Sequence, residues 1–219
     1  MNELLSNILI QPKVVTKENC KYLIDYANSA EMEQMGVFDA DKTNLTRKSE
    51  HKVDKTSRDV KCADITPILP QVHNLMKDTI EHVINPFYGF KIRDSEMPQL
   101  LYYEKGGHYK PHYDAEAMWT NPDGTKMWKK SVDRDLSTVL FLNDDFEGGY
   151  FTFPDLRVTI KPEPGLLVCF PSSRWFKHCV EPVLSGKRYT LVTWMRVCGF
   201  KTKEEQDKEI EQKYGIKVP

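Results

Sequence analysis

The second half of the chain is a series of short apolar or alternating runs, and this pattern constrains the fold more than any other feature. The runs begin near residue 97 and are separated by glycine, proline, aspartate and asparagine rather than by helical patterns. Strands at such close intervals predict a mainly β (α+β) protein built on an antiparallel sandwich or jelly roll, the double-stranded β-helix. The runs are MPQLLYYE, LSTVLFLN, GGYFTF, RVTIKP, GLLVCF and RYTLVTWMRV.

Two helices are predicted before these strands. In segment 15–30, Thr16 can cap the helix N-terminus, and apolar residues recur at helical spacing on one face. Segment 65–86 carries a second apolar stripe, which is ended by Asn85 and Pro86. We expect both helices to support the outer face of the sheet.

Two polar segments lie outside the predicted core. Residues 39–61 contain almost no apolar side chain, which predicts a solvated loop, with a lid ordered on binding as the alternative. Residues 202–215 are strongly charged and are interpreted as a helical, solvated tail. The chain is expected to form one domain over 1–219, divided into an N-terminal support and polar segment (1–96), a jelly-roll core (97–197) and a charged tail (198–219).

Composition limits the classes of partner. Lysine and arginine total 31 against 32 aspartate and glutamate residues, so the net charge is -1 and provides no global attraction to nucleic acid or to an anionic membrane. The five cysteines include no C-x-x-C pair, so neither a disulfide framework nor a zinc knuckle is indicated. The sequence has no apolar run near the roughly 18 residues of a membrane helix and no secretory pattern at its start, and we expect a cytoplasmic protein.

The stretch HYKPHYDAEA, residues 108–117, holds two histidines and an aspartate in a chain with six histidines in all. On a strand, alternate side chains share a face, so His112 and Asp114 project together while Tyr113 points to the other side. His178 follows a buried run and a turn, and in a jelly roll its strand can lie beside that of Asp114. Two histidines and one carboxylate are the ligands of non-haem iron(II) oxygenases, although zinc accepts them too.

Arg188 lies ten residues beyond His178, and strand alternation places Thr190, Val192 and Trp194 on the same face as Arg188. An inward-facing arginine in an apolar strand is costly to bury unless it meets an anion, and its planar fork suits a carboxylate. A dicarboxylate cosubstrate would provide that anion, which favours iron over zinc.

These spaced identities together resemble the 2-oxoglutarate- and iron(II)-dependent dioxygenases, in their prolyl 4-hydroxylase branch, over about residues 97–197. That branch usually has lysine where this chain has Arg188, which limits how far the identity of the substrate can be transferred. The matching motifs are Y-x-x-G-x-x-Y-x-x-H-x-D from Tyr103 to Asp114, E-G-G from Glu147 with F-P soon after, and His178 followed by P-V, G and a basic residue ten positions later.

The resemblance implies specific roles for seven residues. It also implies that Fe(II), 2-oxoglutarate and O2 take part in a hydroxylation that releases succinate and CO2, and it leaves a requirement for ascorbate open. The implied roles are metal ligand for His112, Asp114 and His178, 2-oxoglutarate binding for Tyr103, Arg188 and Thr190, and a catalytic position facing the reaction pocket for Tyr109.

The expected substrate is a prolyl residue of a peptide or protein. Loop 115–133 carries Trp119 and Trp128 on either side of a turn, and these residues with Trp194 are candidate substrate contacts. We expect this loop and segment 39–61 to close over an extended peptide. The alternatives are the same chemistry on a free amino acid, small metabolite or nucleobase, and a non-catalytic jelly-roll binding module.

Overall fold

The computed structural model describes residues 2–38, 51–215 and 218. The helices are α1 Asn2–Leu5, α2 Lys17–Ser29, α3 Leu69–Thr79, α4 Asn85–Tyr88 and α5 Lys203–Tyr214. The strands are β1 Leu9–Gln11, β2 Met32–Gln34, β3 Val37–Phe38, β4 His51–Lys52, β5 Arg58–Asp59, β6 Lys61–Ala63, β7 Ile92–Ser95, β8 Gln99–Tyr103, β9 His108–His112, β10 Glu116–Thr120, β11 Lys126–Lys130, β12 Leu136–Phe141, β13 Glu147–Gly148, β14 Phe151–Phe153, β15 Val158–Ile160, β16 Leu167–Pro171, β17 His178–Val180, β18 Val183–Ser185 and β19 Arg188–Val197.

Most of these strands form two antiparallel sheets. The larger sheet has the order β1-β16-β12-β19-β8-β6-β2, with β7 added beside β19. The smaller sheet has the order β15-β14-β17-β9-β5. Three two-stranded pairs, β3-β4, β10-β11 and β13-β18, complete the strand pairing of the described residues. The predicted mainly β fold, a jelly roll with supporting helices, is confirmed.

Two apolar clusters lie on the two faces of the larger sheet. The cluster between the sheets includes Phe153 of the smaller sheet and Val192 of β19. The cluster on the outer face includes Leu191 of β19 together with Leu23 of α2 and Val72 of α3. Because neighbouring residues of a strand face opposite sides, β19 contributes to both clusters. The N-terminal helices therefore cover the outer face of the sheet, as predicted, and the inner face is left to form a site.

The first predicted helix corresponds to α2, which Thr16 caps by accepting a hydrogen bond from the backbone N–H of Asn19 at 3.2 Å. The second predicted helix does not end at Asn85 and Pro86. A π-helical segment, Ile80–Ile84, leads directly into α4, so the helical backbone continues through Pro86 and ends at Gly89, which is left-handed with φ +66°. No helix within residues 2–38 and 51–215 combines the length and apolar character needed to cross a membrane.

The polar segment 39–61 is only partly described, because residues 39–50 lie outside the described residues. The remainder was predicted as a loop but contributes strands: β5 pairs with β9, and β6 pairs with β8. Val60, between these strands, is buried. The period-2 pattern is too short here to be visible in the sequence, and neighbouring strands decide the structure.

The C-terminal residues are not a solvated tail, so that prediction is wrong. Helix α5 packs on the β10-β11 hairpin, where Lys129 Nζ lies 2.7 Å from Asp207 Oδ1. The backbone N–H of Lys130 donates to Gln206 Oε1 at 3.1 Å, and Ile210 is buried. The sequence does not indicate this contact, because the contacting residues lie 76 and 78 positions apart along the chain.

Gly148, the last residue of β13, provides a test of the packing between β13 and β18. Its backbone φ is +71°, and a Cβ atom there would lie 2.4 Å from the carbonyl oxygen of Pro182. We expect Gly148→Ala to lower the free energy of unfolding by about 3 kcal/mol, since left-handed strain and a backbone clash add. Gly124→Ala is the control, because Gly124 has φ +81° but no atom within 4 Å of the added Cβ. Its expected loss is about 1 kcal/mol. Equal losses in urea denaturation would contradict the steric argument.

Candidate metal centre and cosubstrate pocket

The structure brings His112, Asp114 and His178 together on neighbouring strands of the smaller sheet. Strand β17 pairs with β9 in a register that sets His178 opposite His112, and Asp114 lies two residues beyond the end of β9. One ligand atom from each of the three residues lies within 4.8 Å of the others. Nε2 of His112 is 3.5 Å from Asp114 Oδ1, and Nε2 of His178 is 3.4 Å from Asp114 Oδ2.

Backbone carbonyl groups fix the proton positions of both imidazoles. Nδ1 of His112 lies 2.9 Å from the carbonyl oxygen of Lys110, and Nδ1 of His178 lies 2.9 Å from that of Phe176. A carbonyl only accepts, so Nδ1–H donates in each ring and the Nε2 lone pair faces Asp114. Burial lowers the pKa of His178 to about 4, which keeps this ring neutral at pH 7. Neutral imidazole is the form that binds metals.

Asp114 completes a donor set that fits a divalent cation. Burial opposes the ionisation of Asp114, but the positive charge of Arg134 favours it, and the pKa of Asp114 lies below its ordinary value, so the group is a carboxylate at neutral pH. Two Nε2 lone pairs and a buried carboxylate facing each other at 3.4 to 3.5 Å repel unless a positive charge lies between them. Two imidazoles and one carboxylate suit iron(II) in non-haem oxygenases.

The sequence does not explain how both Tyr109 and His112 face one cavity, since they differ by three positions on a strand. The pairing gives the reason: His178 lies opposite His112, whereas Val180 lies opposite Tyr109, so β9 holds one extra residue at this point. Such a bulge turns a side chain to the other face. The ring of Tyr109 stacks on His112 with centroids 3.5 Å apart. Burial raises the pKa of Tyr109, so its phenol stays protonated.

The second predicted group, Tyr103, Arg188 and Thr190, lines the same cavity as the three candidate ligands. Val192 and Trp194 line it as well, as expected from the alternation of β19. Tyr103, Arg188 and Thr190 come from adjacent strands of the larger sheet, where Arg188 pairs with Tyr103. The cavity therefore lies between the two sheets, with the metal ligands on one wall and Arg188 on the other.

The guanidinium of Arg188 is buried, and no carboxylate of residues 2–38 and 51–215 forms a salt bridge with it. Its exposed fraction is 1%, and it lies over the rings of Tyr103 and Phe141, with centroid distances of 4.7 and 5.2 Å. Nη1 donates to Thr190 Oγ1 at 3.4 Å, but Nε and Nη2 have no hydrogen-bond partner among the described residues. Burial lowers the pKa of Arg188, because the charged form has lost its hydration. Unpaired buried donors of this kind fit a carboxylate ligand.

Arg134 is a site residue that the sequence analysis missed. Its Nε and Nη2 donate to the two carboxylate oxygens of Glu96 at 2.6 and 2.7 Å, and Nη1 donates to the backbone carbonyl of Asp114 at 3.3 Å. The guanidinium also lies 3.7 Å from the ring centroid of Trp194. Arg134 thus holds the backbone of one candidate ligand and one wall of the cavity. Its partners lie 20 to 60 positions away, and the sequence carries no local signal for them.

The candidate substrate tryptophans separate into different environments. Trp194 lines the cavity. Trp128 faces Tyr113 at 5.1 Å, with the guanidinium of Arg174 at 6.0 Å. Trp119 pairs with Met127 rather than with Trp128, so it lies on the opposite face of the hairpin, where Lys129 Nζ is 4.7 Å from its ring. The position of Trp119 indicates packing beneath the hairpin, and we do not retain it as a substrate contact.

A jelly roll that holds two histidines and one carboxylate opposite a buried arginine offers the set of ligands that non-haem iron oxygenases use. Residues 98–196 match the family model of the 2OG-Fe(II) oxygenase superfamily. The resemblance to the 2-oxoglutarate- and iron(II)-dependent dioxygenases of the prolyl 4-hydroxylase kind is thereby confirmed over residues 98–196.

Two similar proteins align with this chain over only part of their own length. Human prolyl 3-hydroxylase 2 is 35% identical over 82 residues, which cover 34% of this chain and 12% of that protein. A PKHD-type hydroxylase of Psychrobacter sp. (strain PRwf-1) is 37% identical over 105 residues, which cover 46% of this chain and 38% of that protein. The chain therefore spans well under two thirds of each of these relatives.

Solved structures share the fold over most of the chain. A prolyl hydroxylase from Trichoplax adhaerens, in complex with a hypoxia inducible factor oxygen degradation domain peptide fragment, has a TM-score of 0.61 at 17% identity, covering 94% of this chain and 88% of that one. The 2OG complex of a viral collagen prolyl hydroxylase from Paramecium Bursaria Chlorella virus-1 has a TM-score of 0.57 at 19% identity, covering 86% and 95%. At these identities the likeness concerns the fold.

The unpaired state of Arg188 leads to a stability prediction. We expect Arg188→Met to raise the free energy of unfolding of the ligand-free protein by about 1–3 kcal/mol, because it removes a buried charge that has no counter-ion. Arg134→Met is the matched control, since it leaves Glu96 without its partner and should lower that free energy by about 1–2 kcal/mol. Chemical denaturation measures both variants. An equal loss in the two would mean that Arg188 stabilises the fold rather than awaiting a ligand.

Proposed function

We propose that this protein is an Fe(II)- and 2-oxoglutarate-dependent dioxygenase that hydroxylates a prolyl residue of a peptide or protein. The observation that carries the proposal is the presence of two complementary binding groups in one cavity. His112, Asp114 and His178 offer a metal its ligands, and Arg188 offers a carboxylate its counter-ion. The superfamily match over residues 98–196 supports the same pairing of iron with 2-oxoglutarate.

In this proposal, His112, Asp114 and His178 hold Fe(II). When bound, iron and 2-oxoglutarate supply with O2 the oxidant that hydroxylates an unactivated C–H bond, and succinate and CO2 are released. The protein's part is positional. The carbonyl groups of Lys110 and Phe176 hold each imidazole by its Nδ1–H, so both Nε2 atoms point to the metal position without rearrangement.

Arg188 binds the distal carboxylate of 2-oxoglutarate in this proposal. Its free Nε and Nη2 groups supply two parallel donors, and the hydroxyl groups of Tyr103 and Thr190 line the same part of the cavity. The surrounding wall includes Val192 and Phe151, which keep bulk water away from the reacting atoms. Turnover assays with and without ascorbate decide whether a reductant is needed.

The prolyl substrate is supported by the resemblance of the sequence motifs and by the similarity to the prolyl hydroxylases described above. Tyr113, which lies between His112 and Asp114 in the chain, contacts Trp128 with ring centroids 5.1 Å apart. The guanidinium of Arg174 lies over the rings of Trp128 and Trp175, and Trp175 is 55% exposed; we call Tyr113, Trp128 and Trp175 the aromatic surface. Tyr109 and Trp194 line the cavity itself. Aromatic faces suit the apolar ring of proline and an extended backbone. Mass spectrometry of a panel of proline-containing peptides tests the assignment, because a prolyl hydroxylase adds one oxygen atom to proline.

Closure of the hairpin and the polar segment over the substrate remains a prediction. Residues 39–50 lie outside the described residues, whereas β10 and β11 form a paired hairpin. Limited proteolysis with and without 2-oxoglutarate and peptide tests it, and identical cleavage of both segments would argue against closure.

The metal assignment predicts the effect of His178→Ala. We expect this variant to lose binding of Mn²⁺, used as a redox-stable probe, by at least about 100-fold, because one of three ligands is removed. It should also lose 2-oxoglutarate turnover in a succinate assay. His108→Ala is the control, since the His108 ring contacts the carbonyl oxygens of Gly106 and Thr56 and does not line the cavity. Equal Mn²⁺ affinity in the two variants would refute the assignment.

The aromatic surface predicts the effect of Trp128→Ala. We expect the KM for a peptide substrate to rise about tenfold or more, since a large aromatic contact is removed. Met127→Ala is the control, because Met127 lies on the other face of the same strand and should leave the KM close to the wild-type value. Steady-state kinetics at saturating 2-oxoglutarate measure the change. A KM that rises equally in both variants would indicate a distorted hairpin instead of a lost contact.

A further inference from the structure

The cavity contains a second guanidinium that the proposed chemistry does not use. Arg58 of β5 is 9% exposed and lines the cavity together with the candidate ligands and Arg188. Its side chain lies over the ring of Tyr109, 4.7 Å from the centroid. Strand β5 pairs with β9 so that Arg58 is opposite Tyr109, which fixes the backbone from which the guanidinium extends.

Protein groups accept hydrogen bonds from only some of the N–H donors of the Arg58 guanidinium. Nη1 donates to the carbonyl oxygen of Gly36 at 3.2 Å, whereas Nε is buried and has no hydrogen-bond partner among the described residues. The ring face of Tyr109 offsets some of the lost hydration, but it does not accept the remaining N–H groups. A buried arginine in this condition fits an anion that arrives with a ligand.

The acidic residues closest to Arg58 along the chain are engaged elsewhere, and Asp114, which lines the same cavity, is a candidate metal ligand. Asp54 accepts hydrogen bonds from the hydroxyl groups of Thr56 and Ser57 at 2.7 Å each. Asp59, the next residue along the strand, lies 3.6 Å from Lys55 Nζ. Neither side chain forms a salt bridge with Arg58 among the described residues.

Two other arginines around the site have carboxylate partners. Arg134 has the carboxylate of Glu96, and Arg174 has that of Glu116 at 3.7 Å. Arg188 and Arg58 have no such partner among the described residues, and both face the cavity. The distal carboxylate of 2-oxoglutarate would neutralise one of these two charges. The other charge needs an anion that 2-oxoglutarate does not supply at that position.

We infer that Arg58 binds a carboxylate of the substrate and selects prolyl substrates that carry one close to the target residue. This inference rests on the proposed function. The carboxylate is that of an aspartate or glutamate side chain near the target, or the α-carboxylate of a substrate whose target is C-terminal or a free amino acid. The two sources present the same charged group to the guanidinium and differ only in their place on the substrate.

The test uses glycine-flanked prolyl peptides with blocked ends and a single aspartate, glutamate, asparagine or glutamine placed one to four positions from proline on either side. A second set has proline at the C-terminus, as the free acid and as the amide, and free proline completes the panel. Hydroxylation is followed by mass spectrometry, and succinate release is followed in parallel. For the wild type we expect kcat/KM to be about 10- to 100-fold higher for the acid than for its matched amide in one of the two sets.

The Arg58 variants are judged by that ratio, which does not depend on their overall activity. Arg58→Gln should reduce the acid-to-amide ratio to about one, mainly through KM, and Arg58→Lys should restore part of it because the charge remains. Lys105→Gln is the matched control, since it removes one exposed positive charge from the turn between β8 and β9 and should keep the wild-type ratio.

The results separate this inference from the proposed function. A wild-type protein that releases no succinate from 2-oxoglutarate overturns the proposed function. A wild type that releases succinate but shows no preference for a carboxylate in either set overturns the role of Arg58 alone. So does a preference that persists in Arg58→Gln, or one that Lys105→Gln abolishes as well.

Discussion

The pairing of β9 with β17 is the contact on which the site depends. It places His178 opposite His112, although 66 positions separate them along the chain, and the bulge in β9 turns Tyr109 toward the same cavity. The backbone of the sheet also positions the candidate ligands, since carbonyl groups within or beside these strands accept hydrogen bonds from the Nδ1–H groups of His112 and His178. Ligand identity comes from the side chains, but ligand geometry comes from strand register, and a slip of one residue would turn His178 to the other face.

The site also depends on the charges that line the cavity between the two sheets. The space between the sheets contains Asp114 on one wall and the guanidinium groups of Arg58 and Arg188 elsewhere in its lining. Protein groups alone leave donors on both arginines unused among the described residues. Such a cavity is less stable empty than filled, because buried charges are compensated only when ions of opposite sign enter. This distribution of charges supports the proposed binding of a metal cation and of an anionic small molecule.

Alternation along a strand and helical periodicity are local properties. They predicted which side chains of β19 face the cavity, the presence of helix α2, and the convergence of His112 with Asp114. What the sequence could not reveal depends on distant partners. Arg134 is indistinguishable from a surface arginine until Glu96 and Trp194 are placed beside it. Arg58 lies in a polar stretch without periodicity, so the sequence does not indicate that it is buried. The need for glycine at position 149 is likewise visible only in the structure, where an added Cβ would lie 3.1 Å from Cδ of Arg188.

The docking of α5 has a consequence for the hairpin that carries Trp128. Lys129, the residue after Trp128, is buried and ion-paired with Asp207, so the hairpin is anchored from below by the C-terminal helix. A surface held in place before its ligand arrives loses little conformational entropy on binding, which is the thermodynamic advantage of preorganisation. Any hinge motion of this hairpin must carry α5 with it or break the desolvated ion pair between Lys129 and Asp207. The C-terminal helix therefore limits the movement of the aromatic surface.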